Sequence, residues 1–221
     1  TTNASLLHLR DNYRKLADSG VNEIDISIDG STPTIFQSIR IQSDFDQVTQ
    51  NCRRLNEYLE PESRTKMWTL VQKANHADLV SLLHLAAYMK FKNVVFSLNM
   101  HGWADPALKK RNAWQIVLLS NDTIAHLQQT ARDLNLKLAW WEVNAKFEAK
   151  PGKRCSWPFE RAVVTSDLRT VPCCMIADPS KFEIGKGQTF LTNWTSDEYA
   201  AFRQAHLDNK IPPVCRACYK S

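Results

Sequence analysis

Through the first 145 residues one pattern repeats four times: apolar residues at helical spacing, then a short run with strand character. Leu6, Leu7, Leu9, Tyr13 and Leu16 mark a helix that Gly20 closes, and Val21 to Asp29 reads as the strand after it. Phe45, Val48, Cys52, Leu55 and Leu59 recur at offsets of three and four and lead to a strand from Lys66 to Gln72. Leu79, Leu82, Leu83, Ala86 and Met89 precede the strand Asn93 to Met100, and Ile124, Leu127, Ala131 and Leu134 precede Leu136 to Val143. Strands separated by single helices cannot pair as hairpins, so this rhythm predicts a parallel sheet built by right-handed crossovers. Cys52 lies on its helix's apolar stripe and is assigned to the core.

The strand ending at Asp29 carries the most chemical information. Ile24, Ile26 and Ile28 alternate with Asp25, Ser27 and Asp29. A closed, packed barrel would make both faces apolar. The polar face needs water, a ligand or polar partners, because an unpaired buried carboxylate costs several kcal/mol. Two arrangements satisfy it: a partly open barrel with a ligand in its lumen, or an edge strand with one wet face. Alternation does not choose between them. Gly30 and the helix start Ser31-Thr32-Pro33 put Asp29 at the strand's C-terminal end, where parallel α/β folds bind ligands.

Five of the six cysteines fall in the last 67 residues. Cys155 opens the series, Cys173-Cys174 follows Pro172, and Cys215-Arg216-Ala217-Cys218 lies close to the C-terminus. A C-x2-C pair sets two sulfurs on one turn. Cys155 and Cys173 flank an expected hairpin with strands Arg161–Thr165 and Thr170–Ile176 around the turn Ser166-Asp167-Leu168-Arg169. The four thiolates suit either zinc or an iron-sulfur cluster, and on spacing alone zinc stands slightly ahead. A disulfide framework fits less well, since no segment resembles a signal peptide and 221 residues can bury a core unaided. Cys215 and Cys218 as a redox dithiol would lack the strand-then-helix setting of such sites. Between these thiols, Thr195 with Glu198 reads as a capping box, Trp194 with Tyr199 as a hydrophobic staple, and Tyr199, Phe202 and His206 as one helical face expected to cover the metal site.

Composition bounds the partners. The chain is 43% hydrophobic and 23% charged, the balance of a globular protein with one domain and a smaller module. Its net charge of +5 is spread along the sequence, a solvated surface rather than a nucleic-acid footprint. No apolar run is long enough to span a bilayer. The absence of an initiator methionine, and a start at Thr1-Thr2-Asn3 that reads as a strand end, raise the expectation of an incomplete polypeptide.

Ile24-Asp25-Ile26-Ser27-Ile28-Asp29-Gly30-Ser31-Thr32, with Phe36, Ile39-Arg40, Phe45, Val48, Asn51 and Leu55, resembles the middle of a radical SAM enzyme. Thr1-Thr2-Asn3 resembles the strand end before it, with Ala4 where that family usually has glycine. The tail resembles the superfamily's SPASM or twitch extension. The similarity rests on Cys155 with Pro158, Pro172-Cys173, Phe182-Glu183-Ile184-Gly185, Trp194, Phe202-Arg203, and Pro213 before Cys215 and Cys218. Leu168 stands where the family usually has glycine, so the turn must form without glycine's freedom at positive φ.

The resemblance implies an α/β fold: a truncated partial (β/α)6 TIM-like barrel with its last three strand-helix units over residues 1–145, then a small cysteine-rich β-hairpin and helix domain over 146–221. It implies iron-sulfur rather than zinc, with Cys155, Cys173, Cys215 and Cys218 holding one auxiliary four-iron cluster and Cys174 spare. It assigns Ser27, Asp29 and Arg40 to the S-adenosylmethionine pocket, and a second four-iron cluster to the full-length enzyme. Gln72, Asn99 and His101 are further candidates for substrate contact, and Trp140-Trp141 for a peptide groove. The implied chemistry is hydrogen abstraction from a peptide or small molecule by a 5′-deoxyadenosyl radical, with flavodoxin or ferredoxin as electron donor, in an anaerobic cytoplasm. The chain has no C-x3-C-x2-C motif, so alone it is expected to be inactive. The alternative is a degenerate, non-catalytic barrel with a cluster-bearing or zinc peptide-binding module.

Overall fold

The computed structural model describes residues 1–60, 63–98, 106–141, 154–176, 178–185 and 189–219. Asn99, Met100, His101, Gly102, Trp103, Val143 and the expected 145/146 boundary lie outside the described residues. The chain divides into two compact units, Thr1–Met100 with Gln115–Glu142, and His101–Trp114 with Val143–Ser221.

The first unit runs α1 (Asn12–Asp18), β1 (Ile24–Ser27), α2 (Pro33–Ile39), α3 (Phe45–Leu59), β2 (Thr65–Leu70), α4 (Leu79–Tyr88) and β3 (Asn93–Ser97). After α5 (Pro106–Ala113), which belongs to the second unit, it resumes with α6 (Asn121–Asp133) and β4 (Lys137–Trp141). The four strands pair in parallel in the order β1-β2-β3-β4, and Thr2 adds a parallel bridge to Ile26. β4 pairs along its whole length with β3 and joins the same sheet as a fourth strand, after three strands that are each followed by a helix.

One sheet face is dry. Ile24, Ile26, Met67, Val94 and Phe96 are buried against Val48, Cys52 and Leu55 of α3, Leu82, Leu83 and Ala86 of α4, and Leu127 and Ala131 of α6. Each buried leucine-sized side chain contributes about 1.5–3 kcal/mol, so these stripes fix which way every strand faces. The helices start where side chains replace missing backbone partners: Asp44 accepts from the Gln47 amide (2.8 Å), Ser120 from Thr123 (3.1 Å), and Thr32 caps a first turn that begins with Pro33.

The first helix differs from the reading of the sequence. Regular α-helix begins only at Asn12, after a 3-10 turn at Leu9–Asp11 in which Arg10 and Asp11 have φ of +48° and +55°. Leu6 and Leu9 are 62% and 45% exposed, so the apolar positions that suggested a longer helix do not all reach the core. Gly20, at φ +74°, ends α1 as expected.

In the second unit, α7 (Trp157–Glu160) leads to an antiparallel pair, β5 (Val163–Val164) and β6 (Thr170–Val171), followed by α8 (Phe190–Trp194) and α9 (Asp197–Leu207). Ile184, Tyr199 and Phe202 form its buried centre, with Phe182, Trp194, Val214 and Cys215 packed around them. Arg203 ties the unit together: Nε donates to the Pro158 carbonyl (2.8 Å), Nη1 to that of Trp194 (2.9 Å), and the guanidinium lies over the Trp194 and Tyr199 rings.

Two local expectations are corrected. The return strand stops at Val171 rather than Ile176, because Pro172 has no N–H to continue the ladder, and Cys174–Ile176 then coils as a 3-10 turn. The N-cap of α9 is Ser196, not Thr195: Thr195 ends α8 with its hydroxyl on the Leu191 carbonyl, leaving Ser196 to accept from the Tyr199 amide. The capping box belongs instead to Thr189 and Thr192 at the start of α8. Trp194 does pack on Tyr199, with ring centroids 5.1 Å apart, and Tyr199, Phe202 and His206 share the buried face of α9.

Candidate functional site

The second unit brings together thiols from three separate segments. Cys155 precedes α7, Cys173 follows Pro172 beyond β6, and Cys215 and Cys218 lie on a 3-10 helix at Pro213–Cys218. All six cysteines of the chain are thiols. Burial pushes the Cys215 thiol up to about 12, and the neighbouring Cys173, Cys155 and Cys218 add to the rise. Cys173 is raised to about 11, chiefly by burial, with Cys174 and Cys218 beside it, while the amides of Met175 and Ile176 donate to its sulfur and oppose the shift. Cys155 is also raised by burial, against the Trp157 amide. The 3-10 turn that replaced the expected strand is what aims two amides at Cys173. Among the described residues no group of three or more His, Cys, Asp or Glu side chains is drawn in tightly enough for a single metal ion.

The residues fit an iron-sulfur group by donor chemistry. Soft sulfur donors, held neutral by burial yet offered N–H bonds that favour thiolate, become ligands once a metal's positive charge compensates the lost solvation. Next to them His206 is fully buried, with Nε2 left without a hydrogen-bond partner, and Nδ1 lies 3.1 Å from the Tyr219 hydroxyl. Buried polar atoms without a partner are uncommon in folded proteins, and a bound group would supply one here. A groove of about 730 Å³ elsewhere in the unit, lined by Phe182, Phe202, Ile211, Pro213 and Arg216, has none of the cysteines in its wall.

In the first unit the face of the sheet opposite the helices presents three rows. Asp25, Lys66, Asn93 and Lys137 are adjacent; then Ser27, Trp68, Val95 and Ala139; then Leu70, Ser97 and Trp141 beyond the end of β1. Ser27 is half-buried on this face, and the Trp68 and Trp141 rings meet at 5.6 Å with Trp141 about half exposed. Trp140 turns the other way, onto Phe96.

Asp29 and Arg40, singled out separately, pair with each other. Arg40 donates to Asp29 Oδ2 from Nε at 2.6 Å and Nη2 at 2.5 Å, and the Leu70 amide donates to Oδ1 at 2.8 Å. Burial raises the Asp29 carboxyl above its ordinary range; the Arg40 charge and the two donors pull against that rise. Gly30 is required beside it, because a Cβ there would lie 2.4 Å from the Phe36 backbone nitrogen. Sequence reasoning missed the scaffold around this carboxylate. The Asn75 side chain donates to the Asp29 and Leu70 carbonyls, both at 3.0 Å, and Asp78 accepts from the Ser31 amide (2.7 Å) and hydroxyl (2.5 Å). Gln72 takes part through its backbone, donating to Asn75 Oδ1 at 2.8 Å. Ordinary turn residues such as Asn75 and Asp78 carry no spacing signal. Tyr219 was missed too, although it adjoins Cys218.

Residues 155–219 match SPASM, an iron-sulfur cluster-binding domain, and this implies cluster binding by the segment. The fold is similar to that of Streptococcus suis SuiB in a crystal structure bound to precursor peptide SuiA, with a TM-score of 0.60 at 15% identity. The alignment covers 91% of this chain and 48% of that one, so the chain spans about half the length of the solved structure. No curated protein matches the chain. The domain match bears on the tail, and the likeness to SuiB is one of fold, here a mixed α/β architecture with a four-stranded parallel sheet. No helix among the described residues is long and apolar enough to cross a membrane.

Proposed function

We propose that this chain is part of a radical SAM peptide maturase: a partial-barrel portion over residues 1–145 and an auxiliary iron-sulfur domain over 146–221. Cys155, Cys173, Cys215 and Cys218 are the ligands of one four-iron cluster, which when bound supplies electron acceptance or substrate positioning. The observation that carries this reading is the match of residues 155–219 to SPASM, within which the four cysteines lie on three segments of one compact unit.

Ser27, Asp29 and Arg40 belong to the S-adenosylmethionine pocket at the C-terminal end of the sheet. Asp29 is spent on holding Arg40, and Arg40, 31% exposed, keeps further N–H donors for an anionic group of the cofactor. The substrate class is a peptide, favoured by the fold shared with SuiB, which was crystallised with a precursor peptide. A flavodoxin or ferredoxin would deliver the electron. The chain lacks C-x3-C-x2-C and is inactive alone.

The test reads the coding sequence upstream of Thr1 and then assays the encoded protein anaerobically with S-adenosylmethionine and dithionite for 5′-deoxyadenosine. A strand followed by C-x3-C-x2-C, with product formed, supports the maturase. An upstream region without those cysteines, and no product, leaves a cluster-bearing binding module instead.

A further inference from the structure

The thiol neighbourhood contains a hydrogen-bond chain that the cluster reading does not use. The Cys155 backbone N–H donates to the Tyr219 hydroxyl at 3.1 Å, joining residues 64 positions apart, and the same hydroxyl lies 3.1 Å from His206 Nδ1. A phenol has one proton to give. With the Cys155 amide donating to its oxygen, the phenol can give that proton to Nδ1 in the neutral imidazole tautomer that carries its hydrogen on Nε2. Burial, with the Arg154 charge nearby, holds His206 below its ordinary range and so keeps the ring neutral. His206 is itself fixed, fully buried on α9 with its ring 5.2 Å from that of Phe202. Tyr219 directly follows Cys218, so wherever its hydroxyl is held the C-x2-C turn is held as well.

We propose that Tyr219, oriented by His206, is a positioning residue that locks Cys155 onto the Cys215–Cys218 turn, pre-setting three of the four thiols for the cluster. This inference rests on the cluster reading given above. The lock acts on the backbone of Cys155, leaving its sulfur available for metal. It spans the longest sequence separation in the ligand set, which chain entropy would otherwise hold apart. Partners of metal ligands in comparable positions typically change metal affinity by about 10–100-fold.

The experiment uses the whole chain, reconstituted anaerobically with ferrous iron and sulfide, as wild type, Tyr219→Phe, His206→Leu and His206→Asn. Iron loss to a chelator and the cluster's midpoint potential are measured, with the melting temperature of each metal-free protein as a control. Tyr219→Phe and His206→Leu are expected to lose iron about tenfold faster and to shift the potential. His206→Asn, whose amide oxygen restores an acceptor, is expected to stay close to wild type. Should Tyr219→Phe fail to fold, the two His206 variants decide on the same readouts. Wild-type rates and potentials in both Tyr219→Phe and His206→Leu overturn the lock while leaving the cluster reading intact. Faster loss with a matching fall in metal-free melting temperature and no change in potential overturns it as well, as a purely structural effect. A wild-type chain that takes up no cluster overturns the cluster reading and the lock with it.

Discussion

Replacing Arg40 with methionine isolates the energetics of the buried carboxylate at the end of β1. The side chain of Asp29 is 3% exposed and that of Arg40 31%, and two guanidinium nitrogens hold Oδ2. Removing one partner of a buried ion pair costs about 3–5 kcal/mol, because the other charge is left stranded. Here the Leu70 amide still serves Oδ1 and water already reaches Arg40, so the lower end applies, about 3 kcal/mol at pH 7. The pH dependence has a definite sign. Burial already raises the folded Asp29 carboxyl above its unfolded value, and losing Arg40 raises it further. A carboxyl with a raised folded value costs stability when ionised, and the cost disappears as the pH falls and the folded form takes up a proton first. Urea unfolding of Arg40→Met should therefore show a large deficit at pH 7 that shrinks at pH 5. Asp29→Asn combined with Arg40→Met should recover much of it. A deficit below about 0.5 kcal/mol, or one equal at both pH values, would refute the reasoning.

Other outcomes follow from single residues. Cys52 is fully buried with its thiol pushed up to about 12, so stability of the metal-free chain should fall above about pH 9, where the unfolded thiol ionises and the folded one does not. Cys52→Ala should narrow its gap to wild type over that range, by up to about 1.4 kcal/mol per pH unit in denaturant titrations. Leu168 sits at φ +64° and is 78% exposed; Leu168→Gly should raise stability by up to about 1 kcal/mol, seen as a higher melting temperature, and a loss would mean the turn gains nothing from relief of its backbone. Gly30→Ala should destabilise by about 1–3 kcal/mol in the same melts, since its Cβ meets the backbone of Phe36 rather than a side chain that could move.

What was legible in the sequence follows its periodicities. Stripes such as Val48, Cys52 and Leu55 identified their helices and buried faces, because a single apolar period decides both. Ala4 and Leu168, standing where the resembled family has glycine, proved to be the places where the backbone takes φ of +59° and +64°. Local competition was not legible: Thr195 and Ser196 both offer a cap, and only the end of α8 assigns Thr195 to it. Nor did the alternation of Asp25, Ser27 and Asp29 reveal that Arg40 and Asn75 would close around Asp29. Those partners come from a helix end and a turn with no period to connect them.

The central claim is that the tail holds an iron-sulfur cluster through four named thiols. Anaerobic reconstitution of the chain, followed by iron and acid-labile sulfide analysis, tests it most directly. The prediction is a brown protein with about four irons and four sulfides per chain, unaffected by Cys52→Ser or Cys174→Ser and lost in Cys155→Ser, Cys173→Ser, Cys215→Ser and Cys218→Ser. A colourless protein with one zinc, or a cluster that survives loss of any of the four, would contradict it.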